Sequence, residues 1–252
     1  MMNALPLRPL RAATLALAML LASAAASMVQ ASVVITGTRV IYPGDAREKT
    51  VQMTNQDAFP NVVQAWIDVD DPASTPDTAK APFLVNPAVS RMAPDSGQTL
   101  RILFTGSGLP QDRESLFYLN VLQIPPRNVA KADRNQMLVM LRNRLKLFYR
   151  PAGIPGSPEQ LPEKLNFSLV QSAGNWRVRV ENPTGFHASF GSATLSVGER
   201  QWTLRTSMLP PRSTAEWTAD KPAALPAGTP RLHALLINDY GARVDVRHDL
   251  PR

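Results

Sequence analysis

The chain has 252 residues with 27 Lys+Arg against 20 Asp+Glu, a surplus of +7, and contains no Cys. That excludes disulfide staples, Cys-ligated zinc, iron–sulfur clusters and thiol nucleophiles, and the length allows one large domain or two small ones. At 44% hydrophobic the chain is globular rather than disordered, and the basic surplus points toward an anionic partner without specifying nucleic acid.

In chain order, Arg8 and Arg11 precede an Ala/Leu-rich run from Ala12 to Ala26, and no acidic residue occurs before Asp45. Val29-Gln30-Ala31 places small residues three and one before Ser32, so residues 1–31 read as a secretory signal peptide, cut after Ala31 or alternatively after Ala26. Its removal leaves 221 residues with 25 basic and 20 acidic. No later stretch is apolar enough to span a bilayer, so membrane insertion is not expected.

Beyond Ser32 the pattern is short, extended and punctuated by turns. Candidate strands are Val33–Ile41, Thr50–Thr54, Val62–Val69, Thr99–Phe104, Leu116–Ile124 and Met137–Tyr149. A segment hostile to regular structure follows, Pro151 to Pro158, which reads as an interdomain linker. Strand-like segments resume at Leu165–Val170, Trp176–Val180, Ala193–Val197, Trp202–Leu204, Ala215–Trp217, Leu232–Ile237 and Val244–Val246. The expected organisation is all-β: residues 32–150 and 159–252 as two immunoglobulin-like β-sandwiches, with Trp66 a candidate core tryptophan of the first.

Catalytic marks are missing. His187, His233 and His248 have no metal-ligand spacing, no GxSxG elbow occurs, and Thr105-Gly106-Ser107-Gly108-Leu109 lacks the third glycine of a phosphate cradle. Neither an enzyme nor a bound cofactor or metal is expected. The segment that asks for a partner is Met137-Leu138-Val139-Met140-Leu141, apolar on both parities of a strand. It is either a central strand buried on both faces or an edge strand whose second row is kept for another chain.

Five blocks carry a family resemblance: GTRVIYPG (37–44), LPQDRESLFYLNVLQIPPR (109–127), RLKLFYRP (144–151), MLPPRS (208–213) and INDYGAR (237–243). In this order they resemble the periplasmic pilus-assembly chaperones of the chaperone–usher pathway, with the short Pro125–Gln136 loop of its short-loop branch. The resemblance implies two immunoglobulin-like domains in a boomerang arrangement and a location in the periplasm. The implied function is to bind and cap pilus subunits by donor-strand complementation and to deliver them to an outer-membrane usher, with no nucleic acid involved. Met137, Val139 and Leu141 match the donor row. Arg39 and Lys146 match the pair that anchors the subunit's terminal carboxylate, and Glu114, Arg150 and Asp239 match an interdomain salt-bridge triad. Lys146 lies an odd number of residues from the donor row, so a twist or bulge is expected between them. The competing reading is a secreted adhesion or carbohydrate-binding module on the same fold.

Overall fold

The computed structural model describes residues 32–127, 137–172, 175–219 and 225–251. The signal peptide expected over 1–31 lies outside these residues, as does most of the Pro125–Gln136 loop.

Among the described residues the first half holds nine strands: β1 (Val33–Ile35), β2 (Arg39–Pro43), β3 (Lys49–Asn55), β4 (Asn61–Asp68), β5 (Phe83–Asn86), β6 (Val89–Met92), β7 (Gly97–Phe104), β8 (Ser115–Ile124) and β9 (Leu141–Arg150). They form two sheets, β1-β3-β7-β5 and β2-β9-β8-β4-β6. Between them lies a core that includes Tyr42, Met53, Leu100, Ile102, Leu119 and Leu147. The sandwich arises because alternate residues of each strand are apolar and face inward, Val63, Ala65 and Ile67 on β4 for example.

The single strand expected over Val33–Ile41 is two. β1 pairs with β3 in one sheet and β2 runs parallel to β9 in the other. The crossing lies at Thr36-Gly37-Thr38, where Gly37 adopts φ +90°, a conformation costly for residues with a Cβ. β5 and β6, four residues each, were too short to stand out in the sequence.

Trp66 requires a correction. It is buried, but it shares parity with Asp68 on the outer face of β4 and is absent from the sandwich core. There its indole N–H donates to Ser74 Oγ at 3.1 Å, and the Arg142 guanidinium lies over its ring.

The described residues of the second half contain a short helix, α1 (Leu161–Lys164), and seven strands. These are β10 (Asn166–Ser172), β11 (Asn175–Asn182), β12 (Phe190–Val197), β13 (Arg200–Arg205), β14 (Ser213–Ala219), β15 (Arg231–Ile237) and β16 (Arg243–Asp249). Their hydrogen bonding runs β10-β11-β14-β13-β12-β15-β16, with only two residue pairs joining β13 to β14. A second core forms around Trp217, Leu195, Leu209 and Leu232, and Ile154 of the Pro/Gly-rich connection is buried in it.

Both halves repeat one turn. Asn55 Nδ2 donates to Phe59 O and Ala93 O at 3.0 and 2.9 Å. Asn182 Nδ2 donates to Phe186 O and Pro210 O at 2.7 and 3.0 Å. Each asparagine is fully buried and supplies the hydrogen bonds that loop carbonyls lose when they leave water.

Candidate functional site

The site lies along β9. From Leu141↔Gln123 to Tyr149↔Ser115 its pairing with β8 is continuous, without a bulge. The other edge is different. β2 pairs with β9 only from Arg39↔Lys146 to Pro43↔Arg150, so residues 141–145 have no strand on that side among the described residues.

The strand expected to begin at Met137 begins at Leu141. Met137, Val139 and Leu141 are 90%, 70% and 47% exposed, and Leu138 and Met140 are also exposed. Five consecutive exposed apolar residues at the end of an open edge constitute an aggregation hazard unless a partner covers them. The reading of this run as a strand buried on both faces is therefore overturned.

The unbroken register also corrects the expected twist or bulge. Leu145, Leu147 and Tyr149 face the core, while Arg142, Arg144, Lys146, Phe148 and Arg150 form the opposite row. Leu141 shares the core-facing parity, so it and Lys146 occupy opposite faces of one regular strand.

Arg39 and Lys146 are register partners in the parallel β2–β9 pair, which puts their side chains on one face. Both are half-buried. Arg39 Nη1 donates to Ile237 O at 3.0 Å, whereas its Nε is buried without a partner. Neither side chain has a carboxylate within salt-bridge distance among the described residues. Burial, opposed by the more distant Asp239 and Glu114, pushes the Arg39 pKa down. Burial and then the charge of Arg39 push the Lys146 ammonium below the ordinary lysine value of 10.5. Two half-buried cations without a counter-ion form an electrostatic sink for one anion, and a carboxylate fits the fork of a guanidinium.

Beside this pair, Arg150 ties the first half of the chain to the second. Arg150 Nε donates to Glu114 Oε1 at 2.7 Å, and its Nη1 and Nη2 donate to Asp239 at 2.6 and 3.0 Å. Glu114 is almost fully buried and also accepts from the His187 backbone N–H at 2.7 Å, with His187 Nδ1 3.0 Å away. Carboxylate hydrogen bonding and charge from Asp239 and Glu114 outweigh burial and raise the Arg150 pKa, so its positive charge is secure. Two glycines permit the close approach. A Cβ on Gly185 would lie 2.8 Å from Asp112 O, and one on Gly241 would run into Thr38 Oγ1, beside Arg39. A cavity of about 140 Å³ opens at this junction, lined by residues including Arg39, Phe148, Arg150, Leu161 and Leu236.

One further constellation leaves little mark on the sequence. Outside the core, Asp68 is buried and accepts from Arg144 Nη2, Asn120 Nδ2, Ser74 Oγ and the Asp71 N–H at 2.7, 2.6, 3.0 and 3.0 Å. These bonds, led by Arg144 and Asn120, outweigh burial and hold its carboxyl below the usual value. The only sequence signal was an acid and two arginines, Arg142 and Arg144, on separate strands. Among the described residues no group of His, Cys, Asp and Glu is arranged to hold a metal.

Two β-sandwiches joined through a charged network thus place a half-buried cation pair at the end of an apolar strand edge. Residues 32–155 match the family described as "Pili and flagellar-assembly chaperone, PapD N-terminal domain", and residues 160–248 match "Pili assembly chaperone PapD, C-terminal domain". The chain belongs to this pilus-assembly chaperone family. It is 37% identical to the probable fimbrial chaperone YadV of Escherichia coli (strain K12), over 85% of this chain and 88% of that one. The crystal structure of the YadV chaperone superimposes with a TM-score of 0.75 at 33% identity, covering 87% of this chain and all of that one. The Salmonella enterica SafB chaperone, solved in a complex with the SafA pilin, gives a TM-score of 0.72 at 27% identity, covering 89% and 99% of the two chains.

Proposed function

We propose that this protein is a periplasmic chaperone that binds pilus subunits by lending them the strand beginning at Met137, caps them, and passes them to an outer-membrane usher. In this reading residues 1–31 are its cleavable signal peptide, residues 32–150 and 159–252 its two domains, and no bond chemistry is catalysed. The observation that carries it is the coincidence of the open β9 edge with the free Arg39–Lys146 pair at the point where β2 begins. The complex of a relative with a pilin supports the partner class.

The geometry gives the incoming strand a direction. Its terminal carboxylate meets Arg39 and Lys146, and the rest of it lies along residues 145 back to 141. It therefore runs parallel to β9 and in line with β2, whose first residue it abuts. Met137, Val139 and Leu141 enter the subunit's groove, each contributing roughly 1.5–3 kcal/mol on full burial. Ordering the four residues 137–140 costs about 1–2 kcal/mol of backbone entropy each. These sums nearly cancel, so backbone pairing and the carboxylate anchor decide whether the complex forms. Glu114, Arg150 and Asp239 hold the two halves in the spacing that keeps the anchor intact.

The test is subunit co-purification from the periplasm with Arg39→Ala, Lys146→Ala and the double variant. Each variant should retain the native circular dichroism spectrum, and each should lose capture by about 30-fold or more, as expected for truncating one side of a buried charge pair. Normal recovery from a folded double variant would overturn the anchor.

A further inference from the structure

β9 presents its cations at every second position of one face: Arg142, Arg144, then Lys146. Consecutive members are about 6.6–6.8 Å apart along a strand. Backbone pairing is tolerant of register, so a chain end arriving along the open edge meets three cations that could each hold its carboxylate. Stopping at Arg144 or Arg142 would leave the bound strand two or four residues short. A two-residue slip is the dangerous one, because it keeps every side chain on its proper face.

The structure disposes of two of these cations. Arg144 Nη2 is 2.7 Å from Asp68 Oδ1, with the exposed Asp70 3.6 Å away, and its guanidinium stacks on the Tyr118 ring. Arg142 donates through Nε and Nη2 to Asn120 Oδ1 at 3.0 and 2.7 Å, through Nη1 to Pro72 O at 2.9 Å and through Nη2 to Ser74 Oγ at 3.1 Å. It also lies 3.8 Å from Asp68 Oδ2. A single buried carboxylate, oriented by Asn120, Ser74 and the Asp71 N–H, thus serves both arginines. Lys146 is the member of the row left without an acid, and it is the one beside Arg39.

We propose that Asp68 is a specificity-determining residue for register: by occupying Arg142 and Arg144 it leaves Arg39–Lys146 as the sole landing point for the subunit's terminal carboxylate. The inference rests on the anchor described above and adds a reason why the anchor is found at one position. Asp68 does not touch the bound chain; it acts by removing competitors. The cluster also braces β9, since Arg142 and Arg144 tie it to β4 and to the Pro72–Ser74 segment, but bracing alone predicts no change of register.

Suppression separates the two roles. The probe is a synthetic peptide carrying the C-terminal strand of a pilus subunit that the unmodified chaperone captures, made with a free or an amidated carboxyl end. Lys146→Ala should weaken binding of the free-acid peptide about 30-fold or more. Adding Asp68→Asn to Lys146→Ala releases Arg144 and should recover at least about threefold of that loss, for the free acid only. Because the chain has no cysteine, Val139→Cys provides a unique cross-linking position. In the Asp68→Asn, Lys146→Ala background the cross-link should move two residues along the peptide. Exchanging the acid within the cluster, Asp68→Asn with Asn120→Asp, restores a carboxylate beside Arg142 but leaves Arg144 without Asp68, so the recovery should persist, and it serves as the folded reference if Asp68→Asn alone is unstable. No recovery, recovery independent of the free carboxyl end, or an unmoved cross-link in a folded protein would overturn the proposal. A Lys146→Ala variant that binds normally would instead overturn the anchor itself.

Discussion

The open stretch of β9 and the outer edge of β16 are both strand edges without a partner strand among the described residues, yet they are built in opposite ways. β16 exposes Arg243, Asp245, Arg247 and Asp249 in alternation. Ion pairs of Arg231 with Asp249 and of Arg247 with Asp245 run along it. Another chain pairing there would have to strip water from four charges, so the edge repels sheet extension. β9 leads instead from five exposed apolar residues into an unpaired stretch, and its outer-face charges are either neutralised or concentrated in the Arg39–Lys146 pair. The charges of β16 guard that edge against unwanted pairing, whereas the open stretch of β9 ends at the Arg39–Lys146 pair.

The largest test of this contrast makes β9 resemble β16. Val139→Glu with Leu141→Glu removes two anchors worth roughly 1.5–3 kcal/mol each. Subunit capture should fall by about 10²–10⁴, measured by co-purification. Both positions are exposed in the free protein, so its thermal midpoint should move little. A smaller effect is expected from the converse change. Arg243→Val, Asp245→Val and Arg247→Val together remove the guard from β16. Sedimentation velocity should then show concentration-dependent self-association that the unmodified protein lacks at this edge. If those variants stay as dispersed as the parent, charge is not what protects β16.

The smallest effect is in pH. The anchor needs Lys146 protonated, and burial beside Arg39 has lowered its pKa from 10.5. Subunit affinity is therefore full at neutral pH and declines as pH rises through a value below that of an ordinary lysine. Free-protein stability has the opposite sign. Between the folded and unfolded pKa values the unfolded chain binds more protons, so stability rises with pH across that window. Titrating peptide affinity by calorimetry should give this early decline, and Lys146→Arg should flatten it, since a guanidinium does not deprotonate there.

Much of this was legible in the sequence because the fold writes itself as short alternating strands between Pro- and Gly-rich turns. Segments such as Val62–Val69 and Leu116–Ile124 fell within a residue of β4 and β8. Places where local pattern and tertiary context part were not legible. Val33–Ile41 reads as one strand because nothing in its polarity reveals that its two ends pair with different sheets. Trp66 reads as a core residue because an aromatic residue among β-branched neighbours looks the same whichever face it occupies. The Asp68 cluster was invisible because its members are dispersed from position 66 to 144, and each alone looks like a solvated surface residue.

By itself, then, the sequence determined the fold class, the two-part organisation, the absence of cysteine chemistry and the apolar run that asks for a partner, all consequences of composition and periodicity. Tertiary structure alone decided that residues 137–140 of this run stand outside the sheet while Leu141 and the residues after it pair with β8. It also decided which cations are spent and which are free. Charge state is a property of distance, and 27 basic residues in a line give no hint that Asp68 would claim two of them and leave Lys146 beside Arg39.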